Sequence, residues 1–137
     1  MDYKKLVEER SKRNAFANLA GIRVVDLEEG HAVVELHVNK NHLNPIGSIH
    51  GGCLYTMADI AAGTAASSYG YNATTLCSDI HYLNAGLNTT YLRAEAKAIK
   101  HGKRTMVFDI SIHDQDDTLM CKATITFMSL GTPIILE

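Results

Sequence analysis

The sequence predicts an α+β fold in which a curved antiparallel sheet wraps around one long central helix. Residues 51–68 are apolar on every side, a pattern typical of a helix buried in a core. Several other segments read as strands, two before this helix and the rest after it. No linker or internal repeat divides the chain, so residues 1–137 are predicted to form a single domain.

A charged segment at the start of the chain predicts an N-terminal helix over residues 3–19, which ends at Gly21. A hairpin follows, and a loop rich in turn-forming residues leads into the central helix. The predicted strands span residues 22–27, 31–38, 74–83, 92–99, 105–113 and 119–130. Because one sheet does not cover a helix on all sides, we expect a second subunit to complete the enclosure.

The charge balance gives no support for a nucleic-acid or polybasic membrane surface. The formal net charge is -2 and the pI is about 6.4, whereas nucleic-acid-binding domains are usually basic. The first residues lack the apolar core of a signal peptide, and no stretch reaches the roughly 18 apolar residues of a spanning helix. We therefore expect a cytoplasmic protein with no nucleic-acid or membrane partner.

The cysteines and histidines are predicted to form neither a disulfide framework nor a metal site. Cys53, Cys77 and Cys121 are far apart and odd in number, so we expect reduced thiols buried in the core. No set of His, Cys and Asp residues has the compact spacing of metal ligands. Phosphate-binding and dinucleotide-binding glycine motifs are also missing, and no cofactor is predicted.

Asp59 is the one formally charged residue between positions 41 and 78, and it falls near the middle of the apolar helix. A carboxylate there pays a desolvation cost unless it has partners or water. We therefore predict that Asp59 is a functional acid or base. The alternative is a structural carboxylate that pairs with a basic residue from a distant strand.

The segment before the central helix offers a second candidate feature. The first N–H groups of a helix lack internal partners and carry the positive end of its dipole, and Ser48 is the predicted N-cap. Glycine at positions 51 and 52 removes side chains that would shield these groups from a developing oxyanion. The simpler alternative is that Gly51 and Gly52 only allow close packing of helix and sheet.

A distance argument connects the two features. Asp59 follows Gly51 by eight residues, so they lie roughly 12 Å apart along one helix. Catalysis needs both groups within about 3 Å of the reacting atoms. We therefore expect two antiparallel helices, related by a two-fold axis, to supply one group each.

The motif from Asn44 to Gly52, followed by Asp59 on the helix, resembles the PaaI-like branch of the hotdog-fold thioesterases. That pattern is Asn, a short gap, Gly, a short gap, His-Gly-Gly and then a helical acid, and the spacing matches throughout. The resemblance extends from residue 19 to the last strand. It implies a hotdog fold and hydrolysis of an acyl-CoA to a free acid and CoA, without a cofactor, in a homodimer or homotetramer.

The resemblance also implies roles for individual residues. Asp59 would be the nucleophile or the general base that activates water. The Gly51 amide would polarise the thioester carbonyl, and His50 would orient that carbonyl or the helix start. Asn44 would help to hold the water or the carboxylate, and Thr75 would steady the water.

Three further inferences from the resemblance concern the periphery of the site. Thr64 is a second, weaker candidate for the hydroxyl that steadies the water. Gly102, Lys103 and Arg104 fit a family turn whose basic residues meet CoA phosphates, although the sequence supports a solvated hairpin turn equally well. Residues 81–86 lack the Arg and Pro that the family commonly carries there, which implies a different CoA or acyl environment.

Two other functions compete with hydrolysis. A non-catalytic hotdog domain could bind acyl-CoA as a sensor, but binding alone does not require Asp59 in an apolar helix. A hotdog hydratase would need a different Asp and His arrangement, which the sequence does not contain. The acyl group is left open.

Overall fold

In the computed structural model, which describes residues 1–137, one six-stranded antiparallel sheet curves around a long helix, as predicted. The helices are α1 (Tyr3–Arg13), α2 (Ala15–Ala20) and α3 (Gly51–Ser67), with a 3-10 turn at Lys40–His42. The strands are β1 (Arg23–Glu28), β2 (His31–His37), β3 (Tyr71–Tyr82), β4 (Tyr91–His101), β5 (Thr105–Asp114) and β6 (Leu119–Pro133). Their order in the sheet is β1-β2-β4-β5-β6-β3. None of the helices is long and apolar enough to cross a membrane.

The prediction of one continuous N-terminal helix is wrong, because Asn14 divides it into α1 and α2. The Asn14 N–H donates to the Arg10 carbonyl at the end of α1, and its side-chain oxygen accepts from the Ala17 N–H, 3.2 Å away, at the start of α2. An asparagine side chain that bonds to nearby backbone offers the chain an alternative to the helix. Asn14, with φ −83° and ψ 76°, therefore ends α1 and begins α2.

Helix α3 packs on the sheet through small side chains. Ala58, Ala61 and Ala65 have no exposed surface, and neither has Phe108 of β5, the largest fully buried side chain. Because alanine is short, the helix backbone comes close to the strands and the core is filled mainly from the sheet. A single apolar core of this kind sets the position of α3 along its whole length.

The prediction that α3 is buried on every side is also wrong for the single chain. Gly52 and Tyr55 are exposed, and Asp59 and Gly63 are half-buried. These residues follow each other at helical spacing and form one uncovered stripe. The stripe is the part of α3 that the sheet of its own chain leaves open.

The cysteines follow the prediction only in part. All three thiols are free, but Cys121 alone is buried, Cys53 is half-buried and Cys77 on β3 is exposed. Burial raises the pKa of the Cys53 and Cys121 thiols to about 11, so both stay protonated at neutral pH.

Ser68, the residue after α3, connects the helix to the first hairpin. Its hydroxyl accepts from the Gly30 N–H at 2.8 Å and donates to the Ala65 carbonyl at 2.6 Å, and only 4% of the residue is exposed. Gly30 lies in the turn between β1 and β2, where its φ of 71° suits glycine. The hydroxyl therefore satisfies a buried donor from another element.

We predict that Ser68→Ala lowers the free energy of unfolding by about 1–3 kcal/mol, because the buried Gly30 N–H loses its acceptor. Ser67→Ala is the matched control, since the Ser67 hydroxyl is as buried but donates only to the Thr64 carbonyl of its own helix. Urea denaturation at one fixed protein concentration measures both variants. An equal loss of unfolding free energy in Ser68→Ala and Ser67→Ala would contradict the role assigned to Ser68.

Candidate active site

Asp59 faces a cavity of about 530 Å³ and has one hydrogen-bond partner, Thr75. The Thr75 hydroxyl donates to Asp59 Oδ1 at 2.6 Å, and no basic side chain lies within ion-pair distance of the carboxylate. The second carboxylate oxygen has no partner in the chain. In the single chain Asp59 is half-buried, where the sequence predicted burial.

Strand β3 presents Thr75 to Asp59 next to a break in its register. Thr75 pairs with Phe127 and Cys77 pairs with Thr126, so Leu76 between them is an extra, unpaired residue. Such a β-bulge redirects the neighbouring side chains. Thr64, the second hydroxyl considered for this role, instead donates to the Ile60 carbonyl of its own helix at 2.7 Å.

The start of α3 is capped by His50, so the prediction of Ser48 as N-cap is wrong. His50 Nδ1 accepts from the Gly52 N–H at 2.8 Å. Because Nδ1 is an acceptor, the neutral ring carries its proton on Nε2, where it is available to a ligand. A Cβ atom on residue 52 would lie 3.0 Å from His50 Nδ1, which explains why glycine stands there.

The Gly51 N–H is the free donor at the start of α3. The N–H groups of His50, Gly52 and Cys53 have acceptors at 2.8–2.9 Å, whereas that of Gly51 has none in the chain. The Tyr82 hydroxyl donates to the Gly51 carbonyl at 3.0 Å, a contact that the sequence did not predict. Partial burial raises the pKa of the Tyr82 phenol, so its hydroxyl remains protonated at neutral pH.

Asn44 organises the loop that leads to His50. Its side-chain oxygen accepts from the N–H groups of Ile46 and Ser48, and its amide group donates to the Ser48 hydroxyl at 2.8 Å. These bonds occupy the Ser48 hydroxyl and hold the loop. Within one chain these bonds give Asn44 a structural role in the loop. Its predicted role, to help hold the reacting water or the carboxylate, stays a prediction.

The turn between β4 and β5 carries the predicted CoA-binding residues. Lys103 and Arg104 are exposed and form no ion pair, and the Gly102 N–H closes the turn by donating to the Thr105 carbonyl. Gly102 and Lys103 border a second cavity, of about 330 Å³. At its wall the rings of Tyr69 and His101 are stacked with their centroids 3.6 Å apart. The turn therefore offers one free cation, Lys103, at the edge of the cavity and a second, Arg104, next to it in the chain.

The single chain brings the candidate residues together in two groups. Asp59 and Thr75 form one group, and the Gly51 N–H and His50 form the other at the start of the same helix. No group of three or more His, Cys, Asp or Glu side chains is arranged to hold a metal ion.

Comparison with known proteins places this arrangement in a family. The model of the thioesterase superfamily matches residues 46–121, more than half of the chain. The acyl-coenzyme A thioesterase PaaI of Escherichia coli K12 is 36% identical over 104 residues, covering 76% of this chain and 74% of that protein.

Solved structures of thioesterases have the same fold as this chain. The E. coli PaaI protein of the phenylacetic acid degradation operon superimposes with a TM-score of 0.92 at 30% identity, over 97% of this chain and 96% of that one. A hypothetical thioesterase with coenzyme A from Streptococcus pneumoniae TIGR4 has a TM-score of 0.83 at 31% identity, over 92% and 98%. Variants of that protein replace an aspartate, and a threonine sixteen residues later, by alanine, the spacing of Asp59 and Thr75 here. The chain belongs to the thioesterase superfamily and has the hotdog fold of its PaaI-like branch.

Proposed function

We propose that the protein hydrolyses acyl-CoA thioesters, and that Asp59 of one subunit and the Gly51 amide of a second subunit act on the same thioester. The observation that carries the proposal is the Asp59–Thr75 hydrogen bond on the wall of an open cavity, with the second carboxylate oxygen free. The family membership of the chain and the names of its relatives support the same chemistry.

The proposed reaction assigns each group a task. The thioester carbonyl accepts hydrogen bonds from the Gly51 N–H and from His50 Nε2, which stabilise the oxyanion. Asp59 either takes a proton from the attacking water or attacks the carbonyl itself, in which case water then cleaves the acyl-enzyme anhydride. Either way the C–S bond breaks, the CoA thiolate takes up a proton, and the acid is released.

Two subunits are needed because Gly51 and Asp59 lie roughly 12 Å apart on α3. The two edges of the sheet differ in a way that favours β3 as the contact. Edge strand β1 has six residues and exposes the charges of Arg23, Asp26 and Glu28. Edge strand β3 has twelve residues, exposes Leu76 and Tyr82, and carries one formally charged residue, Asp79. A long edge with few charges invites pairing with another strand, whereas a short and highly charged edge resists it.

The CoA moiety is proposed to reach the turn between β4 and β5. Phosphate groups suit Lys103 and Arg104, which have no acidic partner in the chain. Gly102 keeps the turn tight, since a Cβ there would lie 3.0 Å from the Thr105 carbonyl oxygen. The free acid and CoA are the products, and no cofactor takes part.

The first prediction concerns the carboxylate. Asp59→Asn removes the base, so turnover of a short acyl-CoA should fall at least about 100-fold while the circular dichroism spectrum is unchanged. Free-thiol release measures the rate, and Asp116→Asn, an exposed substitution in the turn between β5 and β6, is the control. A folded Asp59→Asn protein with wild-type turnover would remove Asp59 from the mechanism, whereas a wild-type protein that binds acyl-CoA without cleaving it would favour the sensor function.

The second prediction tests the shared site with a substitution that removes only the N–H. Proline is tolerated at the first position of a helix, so Gly51→Pro should keep α3 but lose the oxyanion donor. His50 already has the extended conformation that a following proline requires, with φ −64° and ψ 131°. We expect Gly51→Pro to lower kcat about 100- to 1000-fold. Gly51→Ala is the control, because it retains the N–H and its Cβ meets Tyr82 only at 3.4 Å.

Co-expression of Gly51→Pro and Asp59→Asn chains with different tags then shows whether one subunit or two supply the Gly51 N–H and the Asp59 carboxylate of a site. In a mixed dimer one site carries both defects and the other is intact, so purified mixed dimers should recover up to about half of the wild-type activity. If one chain supplied both groups, every site would carry one defect and activity would stay at the level of the single variants.

The third prediction concerns the basic turn. Replacing both Lys103 and Arg104 by alanine should raise KM for acyl-CoA with little change in kcat, and the increase should shrink as salt screens the phosphates. The control replaces Lys4 and Arg23, an equally charged exposed pair on α1 and β1. An identical KM for the wild type and the turn variant at low salt would show that this turn is a solvent-exposed hairpin turn that does not bind CoA.

A further inference from the structure

Arg10 of α1 is the one cationic residue that lines the cavity of Asp59. Its side chain is half-buried and forms neither an ion pair nor a hydrogen bond within the chain. Burial lowers the pKa of the guanidinium, which still remains charged at neutral pH. A half-buried cation without a counterion is costly unless a ligand supplies one.

The break at Asn14 places a second donor beside this cation. Asn14 and Phe16 line the same cavity as Arg10. The Asn14 oxygen caps α2 by accepting from Ala17, and its amide N–H groups have no partner. The end of the cavity formed by α1 and α2 therefore offers donors and one positive charge, with Phe16 and Ile60 as apolar walls.

We propose that Arg10 binds a carboxylate at the far end of the acyl group, so that the preferred substrates are CoA thioesters of dicarboxylic acids. The inference rests on the proposed thioester hydrolysis and adds a substrate class to it. The planar guanidinium matches a carboxylate with two parallel hydrogen bonds. Arg10 acts on specificity and takes no part in bond cleavage.

The length of the acyl chain decides which of the two charges a terminal carboxylate meets. Arg10 lines the cavity of Asp59 and also borders a space lined by Ile60 and Thr64, which follow Asp59 by one and five residues, that is by roughly 1.5 and 7.5 Å along α3. A carboxylate on a short chain would stay near Asp59 and be repelled, whereas one on a longer chain reaches Arg10. The preference should therefore be absent for a four-carbon acyl group and present for a six-carbon one.

The experiment compares matched substrates and matched arginines. Adipyl-CoA and hexanoyl-CoA differ in the terminal carboxylate, as do succinyl-CoA and butyryl-CoA. We expect wild type to have a kcat/KM for adipyl-CoA about tenfold or more above that for hexanoyl-CoA, with the difference mainly in KM. Arg10→Gln should abolish this preference, Arg10→Lys should restore part of it, and Arg13→Gln on the same helix should retain it, since Arg13 does not border the Asp59 cavity.

A binding measurement separates this inference from the proposed function. Calorimetric Kd values of the Asp59→Asn protein for adipyl-CoA and hexanoyl-CoA should show the same preference, which a second Arg10→Gln substitution should remove. Equal Kd values for the two thioesters, or an equal loss for both in Arg10→Gln, would overturn the role of Arg10. If no thioester were hydrolysed, the proposed function would fail, and the Kd values would still decide whether Arg10 binds a carboxylate.

Discussion

The packing of α3 against a single sheet is the interaction on which the rest of the structure depends. One curved sheet covers only part of a helix, so the alanine side of α3 is buried and one stripe stays open. Asp59 lies on that stripe, and Gly51 begins the helix that carries it. The geometry that leaves the core incomplete in one chain therefore also makes the functional groups accessible, and a partner that covered the stripe would exclude water from them.

Strand β3 links this packing to the chemistry at both ends of the site. Thr75 holds the Asp59 carboxylate, and Tyr82 holds the carbonyl of Gly51. The same strand is the long edge of the sheet, and its bulge at Leu76 adjusts the side chain that meets Asp59. Any contact made along this edge would thus act directly on the positions of both proposed catalytic groups, so association of subunits there would change the geometry of the site.

The parts that sequence reasoning predicted are those with a local signal. The apolar run predicted α3 as residues 51–68, within one residue of the observed Gly51–Ser67, and the segments between turn signals predicted all six strands. Ser48 was predicted as the N-cap because serine is a common cap residue. In the structure its hydroxyl is instead hydrogen-bonded to Asn44, and His50 caps the helix. Contacts such as Tyr82 with Gly51 join residues 31 positions apart, and no periodicity reports them. The exposed Cys77 was missed because the position of β3 at an edge follows only from the strand order.

The charges that line the Asp59 cavity are the basis of the substrate class that we propose. The lining carries Asp59 and Arg10, whose formal charges cancel although the side chains form no ion pair. A partner subunit that displaced water would lower the local dielectric constant and strengthen the influence of each charge on a bound acyl group. A neutral acyl group would leave Arg10 without a counterion, whereas a distal carboxylate would neutralise it and leave Asp59 as the uncompensated charge beside the thioester. In the proposed mechanism, Arg10 on α1 thus recognises the acyl end, while Asp59 on α3 activates water at the thioester.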